Sequence, residues 1–449
     1  MAETFDILFK GGTVVNHTGE APVDIGVRDG RIRAIGDIDA TRAGRTVDVR
    51  GLHVLPGVID TQVHFREPGM EHKEDLETGS RAAVLGGVTA VFEMPNTSPP
   101  TTSPEALAAK VAAGTDRMHC DFAFFVGATR ENAGDLPELE RLPGAAGVKI
   151  FAGSSTGNLL VDDDETLTRI FSTIRRRCSI HSEWEARLRE RLSVRRVGDP
   201  SSHSEWRDPV AALNSTERLL RLARATGARI HILHISTGDE MALLSHNKDV
   251  ATVEVTPQHL TLVAPEAYER LGVKAQQNPP IRDRAHQELL WWGLQQGVVD
   301  IIGSDHAPHT LEEKAGTYPA TPSGMPGVQT LVPIMLDHVN AGRLTLARFV
   351  DLTSAAAQRL FGTTCKGRIA VGYDADFTIV DLKAERVIED DWIGSKAGWT
   401  PFAGRKVQGW PIGTVIRGHL AMWESELGQA TGQPVRFGEG LPQGAPASL

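Results

Sequence analysis

Two rhythms of apolar and polar residues run along this chain. The N-terminal stretch carries short period-two runs broken by glycine turns. Phe5-Asp6-Ile7-Leu8-Phe9-Lys10 leads to Gly11-Gly12 and Thr13-Val14-Val15, and the runs 23–27 and 31–35 flank Asp29-Gly30. Period two places alternate side chains on opposite faces of a strand, and Asp-Gly suits the tight turn between two strands. A second rhythm then begins. Apolar segments at 54–59, 88–94, 122–126, 147–151, 179–181, 229–234, 252–255 and 300–303 read as strands. Between several of them lie helical patterns at 76–85, 104–113, 163–174, 208–225 and 284–296. Strands that alternate with helices predict an α/β fold, a closed parallel (β/α)8 barrel of the TIM type rather than an open sheet.

Short strands return after Gly362, through Lys366-Gly367-Arg368-Ile369 and Ala375-Asp376-Phe377-Thr378-Ile379-Val380-Asp381 to a run near 413–417. Residues 1–56 and 363–425 are therefore expected to build one small β domain around a barrel spanning 57–362. The stretch 426–449, rich in Gly, Pro and Gln, is expected to be a flexible tail.

Composition narrows the function. The chain has 449 residues, 41% hydrophobic and 23% charged, with a formal net charge of −10. That balance is ordinary for a globular enzyme and lacks the basic footprint of a nucleic-acid binder. Arg175, Arg176 and Arg177 read as a solvated helix end. No apolar run is long enough to cross a bilayer. Acids near the N-terminus stand where a signal peptide would be basic, so a cytoplasmic location is expected. The three cysteines, Cys120, Cys178 and Cys365, form no CxxC pair, so neither a disulfide framework nor a thiolate zinc site is expected.

Candidate chemistry gathers at the C-terminal ends of the predicted strands, where barrel enzymes place their sites. Asp60-Thr61-Gln62-Val63-His64-Phe65-Arg66 follows the first strand, Lys149 lies within the fourth, His181 ends the fifth, His234 ends the sixth and Asp305 follows the eighth. A single histidine at a strand end is commonly structural. A lysine inside an apolar strand is harder to accommodate, because a buried ammonium must be paired, neutralised or modified. Three imidazoles, a carboxylate and that lysine at one rim suit a divalent ion such as zinc.

The motifs Leu55-Pro56-Gly57-Val58-Ile59-Asp60, His64-Phe65-Arg66-Glu67-Pro68-Gly69, Gly86-Gly87-Val88-Thr89, Met94-Pro95-Asn96-Thr97, Asn278-Pro279-Pro280-Ile281-Arg282 and Ser304-Asp305-His306-Ala307-Pro308-His309 resemble the cyclic amidohydrolases: dihydroorotase, allantoinase and hydantoinase. The resemblance covers nearly the whole chain and points within that group to dihydroorotase. It implies His64, Lys149, His181, His234 and Asp305 as ligands of one or two zinc ions, with Lys149 carbamylated. It also implies Arg66, Asn96, Asn278 and His309 as substrate contacts. The turn 154–157 and the loop 324–327 match the family's rim loops. Arg66 and Asn96 carry the choice of dihydroorotase, since a guanidinium forks onto a carboxylate that allantoin and simple hydantoins lack. An ion pair of Arg66 with Glu67 or Asp75 is the structural alternative.

The implied reaction is reversible hydrolysis of dihydroorotate to carbamoyl-aspartate, a step of pyrimidine biosynthesis. A metal-activated hydroxide attacks, and Asp305 serves as general base and then acid. One position departs from the resemblance. Gln62 stands where the family's His-x-His motif has its first histidine, and a neutral amide oxygen is a poor zinc ligand. That implies a weaker second metal or a mononuclear enzyme. Two alternatives remain: a hydrolase of another cyclic ureide, or a catalytically silent partner of aspartate transcarbamoylase. The resemblance further implies a homo-oligomer. The loop after His309, at 312–318, is a candidate lid over the site.

Overall fold

The computed structural model describes residues 4–154 and 159–438. Eight parallel strands follow one another in chain order: Val58–Val63, Val88–Glu93, Asp121–Gly127, Ala145–Phe151, Cys178–His181, Ile230–Ile232, Ala251–Val255 and Ile301–Ile302. The eighth returns to the first. Val63 bridges His306, and the His64 N–H donates to His306 O at 2.7 Å. This is the TIM-type barrel that the sequence pattern predicts. Strands covered on both faces carry mostly apolar residues, as parallel barrel strands do. Ala145–Phe151, with sequence AAGVKIF, is buried at every position.

The helices start where the sequence supplies caps. Asp75 and Thr78 close a reciprocal capping box on Leu76–Leu85. Ser103, Asp163, Asp208 and Asp283 each accept a backbone N–H at the first turns of Pro104–Gly114, Asp164–Thr173, Pro209–Thr226 and Arg284–Gln295. Each such cap is worth about 1 kcal/mol.

Both chain ends build the small β region. A seven-stranded sheet joins the N-terminal strands Thr13–Asn16, Gly19–Pro22 and His53–Pro56 to the C-terminal strands Phe377–Val387, Lys406–Ile416, His419–Trp423 and Glu426–Leu427. The seam is antiparallel, with Phe377 opposite Pro56. A four-stranded sheet of Phe5–Lys10, Asp24–Arg28, Arg31–Gly36 and Ala43–Asp48 packs beside it, and Phe9 meets Phe377 edge-on at 5.2 Å.

Two expectations need correction. The apolar run 54–59 is two strands, not one. His53–Pro56 belongs to the small sheet, and the barrel starts at Val58. Gly57 makes the switch in a space too tight for a side chain, since a Cβ there would lie 2.2 Å from Thr89 Oγ1. The second correction concerns residues 426–438, which are not a flexible tail. Glu426–Leu427 pairs with the strand His419–Trp423. Val435 N–H donates to Phe122 O at 2.8 Å, and Phe437 packs edge-on to Phe92 at 5.7 Å. Val435 and Phe437 are both buried. Residues 439–449 lie outside the described residues.

Arg175 is exposed, but Arg176 and Arg177 are half-buried and donate to Ala145 O and Ile230 O. They brace the base of the barrel rather than forming a solvated helix end. Among the described residues Cys120 and Cys178 are buried free thiols, and no helix is long and apolar enough to cross a membrane.

Candidate active site

The strand ends converge on one small cavity at the barrel mouth. Gln62, His64, Arg66, Asn96, Lys149, His181, His234, Asn278 and Asp305 all line it, with Phe151 and the 307–324 loop closing the wall. His309 stands behind Arg66, its Nε2 3.4 Å from Arg66 Nη2. Thus the sequence-predicted residues share one place. Of the predicted rim loops, residues 155–157 lie outside the described residues. Within the segment 312–318, Lys314 and Tyr318 are buried and Lys314 Nζ donates to Pro322 O at 2.8 Å, while Glu312 and residues 315–317 are exposed.

Three site residues leave their strands in the left-handed region: Arg66 at φ 67°, His234 at 38° and Asp305 at 46°. Such backbone costs a non-glycine residue about 1–2 kcal/mol. It persists here where each side chain is turned into the cavity.

Lys149 is buried, with Nζ 4.7 Å from the Phe151 ring centre. Among the described residues it has no hydrogen bond and no ion pair. Burial drives its pKa down from 10.5 to about 7, against the weaker pull of Asp305 and Glu254. Near neutral pH this amine loses its charge and becomes a nucleophile.

His181 and His234 face each other, Nδ1 to Nε2 at 3.0 Å. The other nitrogen of His181 lies 3.0 Å from Glu183 Oε2, and Glu183 is paired with buried Arg207. Burial disfavours charge on Glu183, yet Arg207 and His181 outweigh it and hold the carboxyl down at about 2. A carboxylate only accepts, so His181 carries its hydrogen on Nε2 and turns a lone pair toward His234. Burial also holds both imidazoles below their usual pKa.

Across the cavity, His64 Nδ1 lies 2.8 Å from Asn96 Oδ1 and Nε2 lies 3.2 Å from Asp305 Oδ1. The amide oxygen takes the Nδ1 hydrogen, which leaves the Nε2 lone pair facing a carboxylate. Burial pushes His64 toward the neutral form. Two acceptors at that distance repel unless a cation lies between them. Two pairs of convergent donor atoms, with Lys149 in the same cavity, therefore fit a divalent ion. His234 Nδ1 is the one ring nitrogen of these three histidines that lacks a supporting partner among the described residues.

Gln62 presents its amino group to this set. Nε2 donates to Asp305 Oδ1 at 3.0 Å, while its amide oxygen is buried without a partner among the described residues.

Arg66 makes neither of the ion pairs with which sequence alone could explain it. Glu67 is held by Arg117 at 2.7 Å, and Asp75 by Lys396. Arg66 Nε donates to Pro308 O at 3.3 Å, and its Nη1 is buried without a partner among the described residues. Burial lowers its pKa to about 10, so it stays charged. Lys73 adds positive charge to this corner, offset by Glu313 through a 3.0 Å contact, while burial drives the pKa of Lys314 down to about 7. An uncompensated buried guanidinium beside a cavity is a receptor for an anion.

Sequence reasoning missed Glu183, Arg207, Lys73 and Lys314. Only Glu183 gave a local signal, two residues after His181 on the same strand end.

A model of the amidohydrolase family matches residues 198–421, and a dihydro-orotase-like model matches residues 51–140. The chain belongs to the amidohydrolase family, among its dihydro-orotase-like members. This amidohydrolase is 36% identical to a dihydroorotase of Methanosarcina mazei over 95% of this chain and 96% of that protein. It is 34% identical to an allantoinase of Deinococcus radiodurans over 96% and 98% of the two chains. Among solved structures it superposes on an L-hydantoinase from Arthrobacter aurescens with a TM-score of 0.90 and 29% identity, covering 96% of this chain and all of that one.

Proposed function

We propose that this amidohydrolase is a dihydroorotase, which opens the cyclic amide of (S)-dihydroorotate to N-carbamoyl-L-aspartate and closes it in the biosynthetic direction of pyrimidine synthesis. The observation that carries this reading is Arg66. Its charged guanidinium at the cavity, with Nη1 unpartnered among the described residues, calls for an anionic ligand, and dihydroorotate bears a carboxylate on its ring. The dihydroorotase relatives at 36% identity support the same choice.

His181, His234, Lys149, His64 and Asp305 would hold zinc. When bound, the ion would polarise the scissile carbonyl and lower the pKa of water. Lys149, its pKa lowered by burial to about 7, is the residue suited to take up carbon dioxide as a carbamate and so become an anionic oxygen donor. Arg66, with Asn96, Asn278 and His309 around it, would anchor the substrate carboxylate and ring. Asp305, aimed by Gln62 and His64, would accept the proton of the attacking water and deliver it to the departing ring nitrogen. Water oxygen bonds to the carbonyl carbon, the ring carbon–nitrogen bond breaks, and the nitrogen leaves protonated.

A second reading, hydrolysis of another cyclic ureide, is supported by the allantoinase and hydantoinase relatives. Turnover of dihydroorotate, allantoin and hydantoin under one metal condition separates the two. Gln62 is the feature that favours a silent transcarbamoylase partner. Stoichiometric bound zinc would sink that alternative.

A further inference from the structure

The short helix Ser202–Trp206 lies outside the cavity lining, yet it reaches the site indirectly. His203 on this helix is 1% exposed, and its Nε2 lies 2.8 Å from Asn278 Oδ1 and 3.1 Å from Gln277 O. A carbonyl oxygen only accepts, so the ring carries its hydrogen on Nε2. Tyr318 and Trp206 hold the ring in place edge-on, at 5.9 and 5.6 Å between centres. Burial, reinforced by the charge of Arg207, keeps the imidazole neutral. Its Nδ1 is buried with no partner among the described residues. An unpartnered buried nitrogen is destabilising. A plain apolar ring would fill the same volume without that cost, so the contact made by Nε2 is the reason for an imidazole here.

That contact decides which way the Asn278 amide faces. The two ends of an asparagine side chain are nearly equal in shape, and only the hydrogen-bond partners distinguish them. With its oxygen engaged by His203, Asn278 has its amino group left for the cavity it lines.

We propose that His203 is a positioning residue that fixes the Asn278 amide, making Asn278 a dedicated hydrogen-bond donor to an oxygen of the bound cyclic amide. The proposal deepens the reading above and borrows from it only the substrate used as probe. His203 touches no reacting atom and acts through Asn278 alone.

The test is a double-mutant cycle on the zinc-loaded full-length protein, with metal content checked in each variant. His203→Phe keeps the ring volume and removes the donor, and His203→Gln puts an amino group close to where Nε2 stands. Loss of one such hydrogen bond, worth about 1.4 kcal/mol, raises KM for dihydroorotate about tenfold with kcat nearly unchanged. His203→Gln recovers most of it. In an Asn278→Ala background, His203→Phe adds no further loss. Independent, additive losses overturn the proposal. So does a crystal structure of His203→Phe in which the Asn278 amide keeps its orientation. If His203→Phe does not fold, His203→Asn, whose amino group stops short of Asn278, takes its place in both measurements. If wild-type protein turns over allantoin or hydantoin instead of dihydroorotate, the functional reading fails, and the same cycle on that substrate still decides the role of His203.

Discussion

Gln62 donates its side-chain N–H to Asp305 Oδ1 across 3.0 Å, which makes it an orienting donor to the proposed proton carrier. Two substitutions separate that role from metal binding. Gln62→Leu removes one hydrogen bond to a carboxylate, worth about 1.5–3 kcal/mol, and is expected to lower kcat roughly tenfold to a hundredfold with little change in bound metal. Gln62→His is expected to raise the zinc content per chain, read by plasma emission spectrometry. Equal zinc content in Gln62→His and wild type would mean that the position cannot join the metal set.

The Glu183–Arg207 pair supports His181 from behind, and both partners are buried. Arg207→Met leaves a buried carboxylate unpaired. Breaking such a pair costs about 3–5 kcal/mol. A large fall in the thermal midpoint is expected, together with weaker zinc retention on dialysis against a chelator. A midpoint within a degree or two of wild type would show that Glu183 finds other support.

Lys149 makes a prediction about pH. Its folded pKa, about 7, lies far below the 10.5 of the unfolded chain. Between those values the unfolded state binds a proton that the folded state does not, so stability rises with pH through that window. Metal-stripped protein in buffer free of carbon dioxide should therefore melt higher at pH 9 than at pH 7. Lys149→Met should reduce that rise, and the difference between the two slopes isolates the lysine from Lys314, which shifts in the same direction.

The C-terminal segment makes a prediction about folding. Phe437 is buried against Phe92, so Phe437→Ala is expected to cost about 3–5 kcal/mol, seen as a lower thermal midpoint. A chain ending at residue 425 should lose at least as much.

The barrel and the residues lining its mouth were legible because each strand announces itself locally. A run such as Gly147-Val148-Lys149-Ile150-Phe151 shows both the buried strand and its anomalous lysine. The split at Gly57 was not legible, because Val54 and Val58 are equally apolar and only the partner strand tells the two sheets apart. The packing of Val435 and Phe437 was hidden by glycine and proline neighbours, whose composition suggests disorder even where two apolar side chains dock. Arg207, Lys314 and His203 act on residues distant in sequence, a relationship that no local pattern encodes.

Arg66 offers the most direct test. Steady-state turnover of dihydroorotate, allantoin and hydantoin is measured on zinc-loaded wild type and on Arg66→Leu. The account predicts that wild type strongly prefers dihydroorotate. It also predicts that Arg66→Leu lowers kcat/KM for dihydroorotate about a hundredfold or more, as loss of about 3 kcal/mol of charge-assisted hydrogen bonding requires, while any weak hydantoin turnover is spared. Undiminished dihydroorotate turnover in Arg66→Leu, or a wild-type preference for allantoin or hydantoin, would contradict it.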